Sequence, residues 1–459
     1  MTNPTPTVYT PFEAQLKGSK LCSCGYAHNC RLRRFSVAES DVWLLLPPLL
    51  KKLKGSRVHF ISDAVSMQRL GEQTMQYLGS LGFTVSSSVF PADTPPVCDH
   101  VAAGSLLLHI PQQAEVLIAV GERAVCDLAK FAALKNNLPL VLLPTAACTD
   151  SFAQPTAEFL ENDHRVRLPA AVPHAILADL SVLVSAAPEQ SNAGIGAALA
   201  NYVSLADWRL SAIAAGSPCC ETLAEGLQTL TDRLLALLRQ GRSVHDSEVQ
   251  LALINCLVGA GVTAQLAGTD APIRGSESAL AYYLEHKLVA EDITDYSFDV
   301  LRGLSALYAL RMYEWLRTTT PDFAAAQSLF DDFGWTYFNA ELFRVYGEDY
   351  AHTLLSRFGG DGFYSRDTHR SRLARFQSGF LRLRGETAGN LPAYSLILSQ
   401  LRALSVPCTM ADIGFTREEA LDALVWSKEM LPRYGIFRFL ADLGELERAA
   451  GRLTETMPR

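Results

Sequence analysis

Polar side chains follow two apolar runs between residues 114 and 157. The run Val116–Val120 ends at Gly121, and the run Pro139–Leu143 ends shortly before Asp150. If the two runs are neighbouring strands of a parallel sheet, their carboxyl ends lie at one edge, where ligands bind in such folds. Backbone N–H groups at a strand-to-helix turn can hold phosphate. This stretch therefore predicts a nucleotide-type or substrate-binding edge.

Only one residue of the first turn is a glycine. A phosphate-binding turn usually contains several, because its backbone must approach the ligand closely. Here Glu122 adds a negative charge, and Arg123 places a guanidinium at the start of the following helical pattern. An ordinary strand-to-helix turn is therefore the alternative to a cofactor site.

Residues with metal-binding chemistry lie near the N-terminus. Three thiols and one imidazole fall within nine residues, at Cys22, Cys24, His28 and Cys30. Three cysteines with one histidine form a ligand set found in structural zinc sites. The Cys-x-Cys spacing is tighter than the usual zinc knuckle, so a small surface hairpin with free thiols is the alternative.

The elements that must position these residues follow an α/β pattern. Val116–Val120, a helical pattern over Ala124–Ala133 and the run Pro139–Leu143 form a strand, helix, strand unit of a parallel sheet. Arg57–Asp63 predicts an earlier strand of that sheet, and Ala102–Leu108 is expected to continue the pattern.

Asp63 stands at the end of its expected strand. An acidic residue there can bond a ribose hydroxyl of a nucleotide. It can equally cap the helix that follows, and the sequence favours neither role.

The pattern changes near residue 186. From there, apolar residues recur with the 3.6-residue spacing of α-helices. The sequence thus predicts an N-terminal segment with the Cys/His cluster (1–39), an α/β domain of the nucleotide-binding type (40–185) and a helical domain (186–459).

Composition restricts the class of protein. The chain has 459 residues, of which 49% are hydrophobic and 19% charged, as in globular proteins. A formal net charge of −8 argues against nucleic acid as a partner, and no uninterrupted apolar stretch predicts a membrane span. The N-terminus lacks the apolar core of a secretory signal. Ten cysteines, mostly within apolar segments, are typical of free thiols in the cytoplasm.

Two motifs resemble a known superfamily. Gly121 is followed by Asp127-Leu128-Ala129-Lys130, and Pro144-Thr145-Ala146-Ala147 is followed by Asp150. This pattern is similar to that of the dehydroquinate-synthase-like, iron-containing alcohol dehydrogenases, above all the sn-glycerol-1-phosphate dehydrogenase branch. Arg123 stands where the second glycine of that branch is expected.

The resemblance implies a fold and a cofactor. The fold is a Rossmann-like α/β domain with a parallel sheet, followed by an all-α domain. The cofactor is NAD or NADP, and Asp150 is placed beside the nicotinamide and substrate. The residues implied for cofactor binding are Gly121, Arg123, Asp127, Lys130 and Thr145, with Asp63 near the adenosine.

The resemblance also implies a divalent metal held by one aspartate and two histidines. The matching positions carry Ala197, Tyr282 and Arg302 instead. Alanine has no donor atom, and protonated arginine repels a cation, so no catalytic metal is expected. Arg302 could instead supply the missing positive charge and, with Tyr282 and Arg274 as further candidates, bind an anion or donate a proton.

Three functions follow as hypotheses. One is an NAD(P)-dependent oxidation of a polyol phosphate such as glycerol 1-phosphate. Another is a metal-free descendant that binds a nucleotide or small phosphorylated ligand, or that serves as a partner or regulatory subunit. A weaker one is metal-free acid/base chemistry by Tyr282 and Asp150. A homodimer is a candidate assembly, and the sequence leaves the oligomeric state open.

Overall fold

The computed structural model describes residues 7–10, 22–161, 164–331, 333–357 and 362–455. Most of residues 1–21 of the expected N-terminal segment thus lies outside the described residues. The chain forms two compact units. Unit 1 comprises residues 1–198 and 221–270, and unit 2 comprises residues 199–220 and 271–459. The expected boundary near residue 186 differs from this division, because several helices beyond it group with the sheet.

Unit 1 contains a seven-stranded sheet with the order β1-β2-β9-β6-β5-β3-β4. Neighbouring strands run parallel, except that β1 is antiparallel to β2. Strands β7 and β8 form a separate antiparallel hairpin, which the sequence did not predict. The strands are β1 Val8–Tyr9, β2 Arg34–Ala38, β3 Arg57–Asp63, β4 Thr84–Phe90, β5 Val116–Gly121, β6 Leu140–Pro144, β7 Thr156–Glu161, β8 His164–Pro169 and β9 Ala175–Asp179.

The central strands explain the two apolar runs. Every residue of β5, β6 and β9 is buried, as expected for parallel strands covered on both faces. Gly121 pairs with Pro144, so β5 and β6 end side by side. The expected strand, helix, strand unit is confirmed, and it brings Thr145 beside Gly121.

Helices connect these strands. The helices that lie wholly or partly in unit 1 are α1 Leu46–Leu53, α2 Ala64–Ser66, α3 Glu72–Ser80, α4 His100–His109, α5 Arg123–Asn136, α6 Leu180–Val184, α7 Pro188–Ala215, α8 Glu221–Arg239 and α9 Ser247–Ala267. Met67–Gly71 forms a π-helical turn between α2 and α3. Helix α7 runs from unit 1 into unit 2 at residue 199.

The segment Ala102–Leu108, which was expected to continue the α/β pattern, lies within helix α4 between β4 and β5. A short apolar run has no period that separates strand from helix. The deciding signal is Asp99, whose carboxylate accepts a hydrogen bond from the N–H of Ala102 at 2.7 Å and caps the helix.

Within the described residues, α9 is long and apolar enough to cross a membrane by length and composition. However, 83% of its most apolar window is buried inside the protein. That burial is typical of the core helix of a soluble protein.

Unit 2 is helical, as the periodicity predicted. Its helices are α10 Ser276–Ala290, α11 Phe298–Thr318, α12 Phe323–Ala326, α13 Trp335–Tyr346, α14 Glu348–Arg357, α15 Arg366–Asn390, α16 Tyr394–Ala403, α17 Arg417–Trp426, α18 Ile436–Asp442 and α19 Leu446–Thr454. A capping box of Thr416 and Glu419 opens α17. Helices α10 and α11 pack along each other and carry the polar groups described below.

Candidate functional site

The turn between β5 and α5 is closed by tight packing. A Cβ atom added to Gly121 would lie 2.8 Å from the Cβ of Val125, one turn into the helix. Side chains do not approach each other so closely, so Val125 alone requires a glycine at position 121. Cofactor contact at Gly121 stays a prediction, since packing already explains this glycine.

Glu122 is the N-cap residue of α5. Its carboxylate makes no capping bond to the helix and instead accepts a hydrogen bond from Gln190 Nε2. Burial, together with the nearby Asp63 carboxylate, raises the pKa of Glu122 to about 6. The helix N-terminus is the position that attracts a pyrophosphate, and here it already has a carboxylate beside it.

Arg123, Asp127 and Lys130 belong to an ion-pair network on α5. Lys130 Nζ lies 2.7 Å from Asp127 Oδ1 and donates to the carbonyl oxygen of Ser151 at 2.6 Å. Arg123 pairs with Glu158 on β7. Asp127 and Lys130 are both 0% exposed. Their buried contacts hold α5 against the loop after β6 and against the β7–β8 hairpin. Their predicted contact with a cofactor stays a prediction.

Asp63 and Thr145 lie at the carboxyl ends of β3 and β6. The Oδ1 atom of Asp63 accepts a hydrogen bond from the N–H of Ser66 at 2.8 Å, so Asp63 caps α2. The hydroxyl of Ser66 lies 3.0 Å from that of Thr145. The helix-capping role of Asp63 is therefore observed, and its contact with a ribose stays a prediction.

Asp150 lies in the loop that follows β6 and is 1% exposed. Gln154 Nε2 donates to its Oδ1 at 2.9 Å and to its main-chain oxygen at 3.1 Å. The amide of Gln154 thereby fixes the orientation of the carboxylate. The predicted role of Asp150 beside a substrate is compatible with this fixed orientation.

A cavity of about 520 Å³ opens in unit 1 next to this loop. Gln154 lines it together with the cationic residues Arg31 and Arg167, and Arg167 forms an ion pair with Asp270. The volume is in the range of small-ligand sites. Sequence reasoning missed this cavity because its walls come from four separate segments of the chain.

The structure brings together Cys22, Cys24 and His28, as predicted, but Cys30 does not complete the group. The thiol of Cys30 donates to the side-chain oxygen of Gln265 at 3.4 Å. Hydrogen bonds, above all from the backbone of Cys24, lower the pKa of Cys22 to about 6.

In unit 2, Arg302 on α11 is buried among acidic groups and is 0% exposed. Its Nη2 lies 3.7 Å from Glu277 Oε1 and donates to the carbonyl oxygen of Ile273 at 2.9 Å. Its Nη1 lies 3.6 Å from Asp299 Oδ1. The guanidinium therefore supplies the positive charge for two buried carboxylates.

Tyr282 on α10 is 6% exposed and packs against the ring of Phe298, with 4.6 Å between ring centroids. The guanidinium of Arg274 lies 6.0 Å from the centroid of the same ring. Arg274 is 0% exposed and donates to the carbonyl oxygen of Ile273 at 2.9 Å. An anion-binding role for Tyr282 and Arg274 stays a prediction.

Asp207 on α7 is a polar centre of unit 2 for which sequence reasoning predicted no role. It accepts hydrogen bonds from the hydroxyl of Tyr313 at 2.6 Å, the N–H of Ser276 at 2.6 Å and the N–H of Ile436 at 2.9 Å. Burial raises the pKa of Asp207 to about 6. Its carboxylate thus satisfies the first N–H groups of α10 and α18. A glycine directly before each helix is the sequence signal that could have indicated this close approach.

Comparisons with known proteins agree with these features. The profile of the family described as iron-containing alcohol dehydrogenase matches residues 37–188. The glycerol-1-phosphate dehydrogenase (NAD(P)+) of Bacillus licheniformis is 26% identical over 301 residues, which cover 64% of this chain and 73% of that protein. Over these residues the chain is similar to the iron-containing alcohol dehydrogenases, and among them to a glycerol-1-phosphate dehydrogenase.

Solved structures of iron-containing alcohol dehydrogenases and related reductases share the fold. The iron-containing alcohol dehydrogenase of Corynebacterium glutamicum matches with a TM-score of 0.58 at 15% identity, covering 95% of this chain and 100% of that chain. Sulfoacetaldehyde reductase of Bifidobacterium kashiwanohense, solved in complex with NAD+, also has a TM-score of 0.58 and 15% identity, covering 94% and 98%. The predicted α/β and helical architecture is confirmed.

The superfamily resemblance places one residue of unit 1 and two residues of unit 2 at metal-ligand positions. Ala197 on α7 is 0% exposed and offers only a methyl group. Tyr282 offers a buried phenol, and Arg302 a buried guanidinium. These side chains differ in kind from the aspartate and histidines expected in an iron-containing alcohol dehydrogenase, and Ala197 and Arg302 cannot coordinate a cation.

Proposed function

We propose that this chain, which is similar to the glycerol-1-phosphate dehydrogenases, binds a small phosphorylated ligand without metal-assisted hydride transfer. One observation carries the proposal. The guanidinium of Arg302, within 4 Å of Glu277 and Asp299, stands where the resemblance expects a histidine ligand. An arginine keeps its charge at all relevant pH values, so it permanently replaces the cation that a divalent metal would supply.

The turn after β5 supports the same conclusion. Above pH 6 the buried carboxylate of Glu122 is ionised, and it lies beside the N-terminus of α5. A pyrophosphate at this helix start would be repelled by that charge. We therefore expect NAD or NADP to bind weakly, and we expect cofactor turnover to be absent.

The cavity in unit 1 supports the choice of ligand. Its volume of about 520 Å³ suits a small molecule, and the guanidinium of Arg31 lines it beside the ion pair of Arg167 with Asp270. A guanidinium forms paired hydrogen bonds with phosphate oxygens. A sugar phosphate or a nucleotide is the class of ligand that this lining favours.

Two measurements on the purified full-length protein test the proposal. The first is NAD(P)(H)-coupled turnover of glycerol 1-phosphate and dihydroxyacetone phosphate, with and without Zn²⁺, Ni²⁺ or Fe²⁺. We expect no turnover. The second is calorimetric binding of dihydroxyacetone phosphate and ADP, with Arg31→Gln as the variant and Arg57→Gln, whose side chain pairs with Glu115 elsewhere in unit 1, as the control. We expect Arg31→Gln to weaken binding about tenfold and Arg57→Gln to leave it unchanged.

A second candidate is the conventional activity of the branch. It is favoured by the 26% identity over 301 residues with the Bacillus licheniformis enzyme. Metal-dependent formation of NADH or NADPH from glycerol 1-phosphate in the first measurement would establish it and overturn our proposal. Equal binding by the Arg31→Gln variant would remove the cavity as the ligand site.

We place the protein in the cytoplasm. None of its ten cysteines forms a disulfide, and most are buried. Thiols persist in this form in a reducing compartment, where structural disulfides are rare.

A further inference from the structure

Two partly exposed thiols and an imidazole lie close together near the start of unit 1. The Sγ atoms of Cys22 and Cys24 and a ring nitrogen of His28 all lie within 4.8 Å of one another. A disulfide holds its two sulfurs about 2 Å apart, so the two thiols need to approach each other by at most about 3 Å. Their partial exposure leaves the side chains room to rotate. We propose that Cys22 and Cys24 form a redox modification site, which hydrogen peroxide converts reversibly into a disulfide.

A tight turn carries both thiols. The N–H of Gly25 donates to the carbonyl oxygen of Cys22 at 2.9 Å, and the N–H of Cys22 donates to that of Tyr26 at 3.0 Å. Gly25 has a φ of +86°, a conformation that favours glycine. Only Ser23 separates the two cysteines, so a disulfide between them closes a short loop and costs little chain entropy.

The thiol of Cys22 is suited to react first. Hydrogen bonds, above all from the backbone of Cys24, lower the pKa of Cys22, so its thiolate is present at neutral pH. The thiolate is the nucleophilic form of cysteine. By contrast, burial raises the pKa of Cys98 and of Cys126, which keeps these two groups protonated. An accessible thiolate beside a second thiol is the arrangement of redox-sensing cysteines.

His28 is placed to take the proton of the second thiol. Its Nδ1 lies 2.7 Å from the carbonyl oxygen of Leu266, at the end of α9 in unit 1. A carbonyl oxygen only accepts, so Nδ1 carries the proton and Nε2 presents its lone pair. Cys24 Sγ lies 3.3 Å from this Nε2. The imidazole can therefore act as the base that activates Cys24.

The oxidation proceeds in two steps. The Cys22 thiolate attacks one oxygen of hydrogen peroxide, so an S–O bond forms, the O–O bond breaks, and the leaving hydroxide takes a proton from solvent. Cys24 then transfers its proton to His28 and attacks the sulfur of Cys22. The S–S bond forms, the S–O bond breaks, and the second hydroxide takes the proton from His28. Two thiols and one peroxide thus give one disulfide and two waters, and the two sulfurs supply both electrons.

The site is independent of the proposed function, because Cys22, Cys24 and His28 do not line the 520 Å³ cavity. A transient disulfide is also compatible with the cytoplasm. Disulfides in that compartment are usually short-lived and take part in catalysis or redox sensing.

Peptide mapping of the oxidised full-length protein tests the site. Reduced protein is treated with hydrogen peroxide, the peroxide is removed with catalase, and the protein is unfolded, alkylated with iodoacetamide and digested with trypsin. Residues 21–31 form one tryptic peptide that contains Cys22, Cys24 and Cys30. Without peroxide it should carry three alkyl groups. After peroxide it should carry one, on the buried Cys30, and contain a disulfide, and dithiothreitol should restore all three.

Variants assign the role of each group. Cys24→Ser should leave a sulfenic acid on Cys22 that dimedone traps. Cys22→Ser should slow oxidation of this peptide at least about tenfold, because the thiolate is lost. His28→Asn should slow closure of the disulfide at least about tenfold, so that dimedone traps Cys22 there too. The matched control is Cys30→Ser, which removes a thiol that bonds to Gln265 and should keep the disulfide.

The mapping of the wild-type protein decides the question even if a variant fails to fold. The proposal is overturned if the wild-type peptide keeps all three alkyl groups after peroxide treatment. It is also overturned if Cys22 or Cys24 is found joined to Cys30 or to a cysteine of another peptide instead.

Discussion

At the scale of single residues, burial determines the free-energy contribution of Glu122. Burial raises its pKa from 4.5 to about 6, so the folded state holds this carboxyl's proton more tightly than the unfolded state. The ionised carboxylate therefore destabilises the fold above pH 6, and this penalty is absent below pH 4.5. Glu122→Gln should raise the free energy of unfolding by about 2 kcal/mol at pH 7.5, and the gain should vanish by pH 4.

Urea unfolding at pH 7.5, 5.5 and 4 measures this effect. Glu115→Gln is the control of opposite sign. Hydrogen bonds from the backbone N–H groups of Ser56 and Arg57 lower the pKa of Glu115, so its ionised form stabilises the fold. Glu115→Gln should lose stability at pH 7.5. A Glu122→Gln variant that is no more stable than wild type at pH 7.5 would contradict the prediction. The ionised carboxylate of Glu122 would then carry no net free-energy penalty in the folded state.

Arg302 is the residue whose loss should be most costly in unit 2. Arg302→Met keeps much of the side-chain volume but leaves the carboxylates of Glu277 and Asp299 without the guanidinium. Removing one partner of a buried ion pair costs about 3–5 kcal/mol. The control is Arg344→Met, since the Arg344 side chain is 50% exposed and its ion pair with Asp422 should contribute at most about 1 kcal/mol. Equal urea midpoints for the two variants would contradict this prediction.

At the scale of elements, a single carboxylate organises two helix starts in unit 2. Asp207 accepts from the first N–H groups of α10 and α18, and this requires close approach by the glycine before α18. A Cβ added to Gly435 would lie 2.5 Å from both Asp207 Oδ2 and Ser276 Oγ. Gly435→Ala should therefore lower the free energy of unfolding by about 1–3 kcal/mol.

The matched control is another glycine-to-alanine change. Gly226 lies inside α8, where an added Cβ would meet no atom within 4 Å. Alanine restricts the unfolded chain and favours the helix, so Gly226→Ala should stabilise the protein by about 0.5–1 kcal/mol. Thermal unfolding of both variants gives the comparison, and shifts of the same sign would refute the close-approach argument.

Helices and strands with a clear apolar periodicity could be predicted from the sequence, and segments without such a periodicity could not. The strand, helix, strand unit around Gly121 and the long helices after residue 186 show strong apolar patterns. The segment Ala102–Leu108 has a nearly continuous apolar run that suits a strand and a helix alike, and its helix is identified by the N-cap residue Asp99. The β7–β8 hairpin was missed because its polar residues form ion pairs that no local pattern shows.

The residues of the candidate sites likewise divide into those that are close in sequence and those that only folding brings together. Cys22, Cys24 and His28 are near in sequence, and their grouping was predictable from spacing. The cavity in unit 1 depends on separate segments that only the folded chain brings together. The burial of a side chain also cannot be read from the sequence. Asp127 and Lys130 could therefore be recognised only as part of a motif and not as a buried ion pair.

At the scale of the whole molecule, the chain has the fold of the solved iron-containing alcohol dehydrogenases. Our proposal concerns the positions that the resemblance matches to metal ligands, which in unit 2 carry Tyr282 and Arg302. The guanidinium of Arg302 already balances two buried carboxylates. Replacing both residues by histidine should therefore create an attraction for a divalent ion.

The double variant Tyr282→His, Arg302→His tests this within unit 2. It supplies two imidazoles, and Glu277 and Asp299 then lack their guanidinium, so a cation is favoured by charge and by ligand type. We expect the variant to bind one more Zn²⁺ or Ni²⁺ per chain than wild type, measured by metal content after dialysis, and to gain thermal stability when metal is added. Arg302→Met is the control, because it removes the same charge without supplying an imidazole, and it should gain no tightly bound metal. If the double variant also gains none while remaining folded by circular dichroism, the match of these residues to the superfamily's ligand positions is wrong.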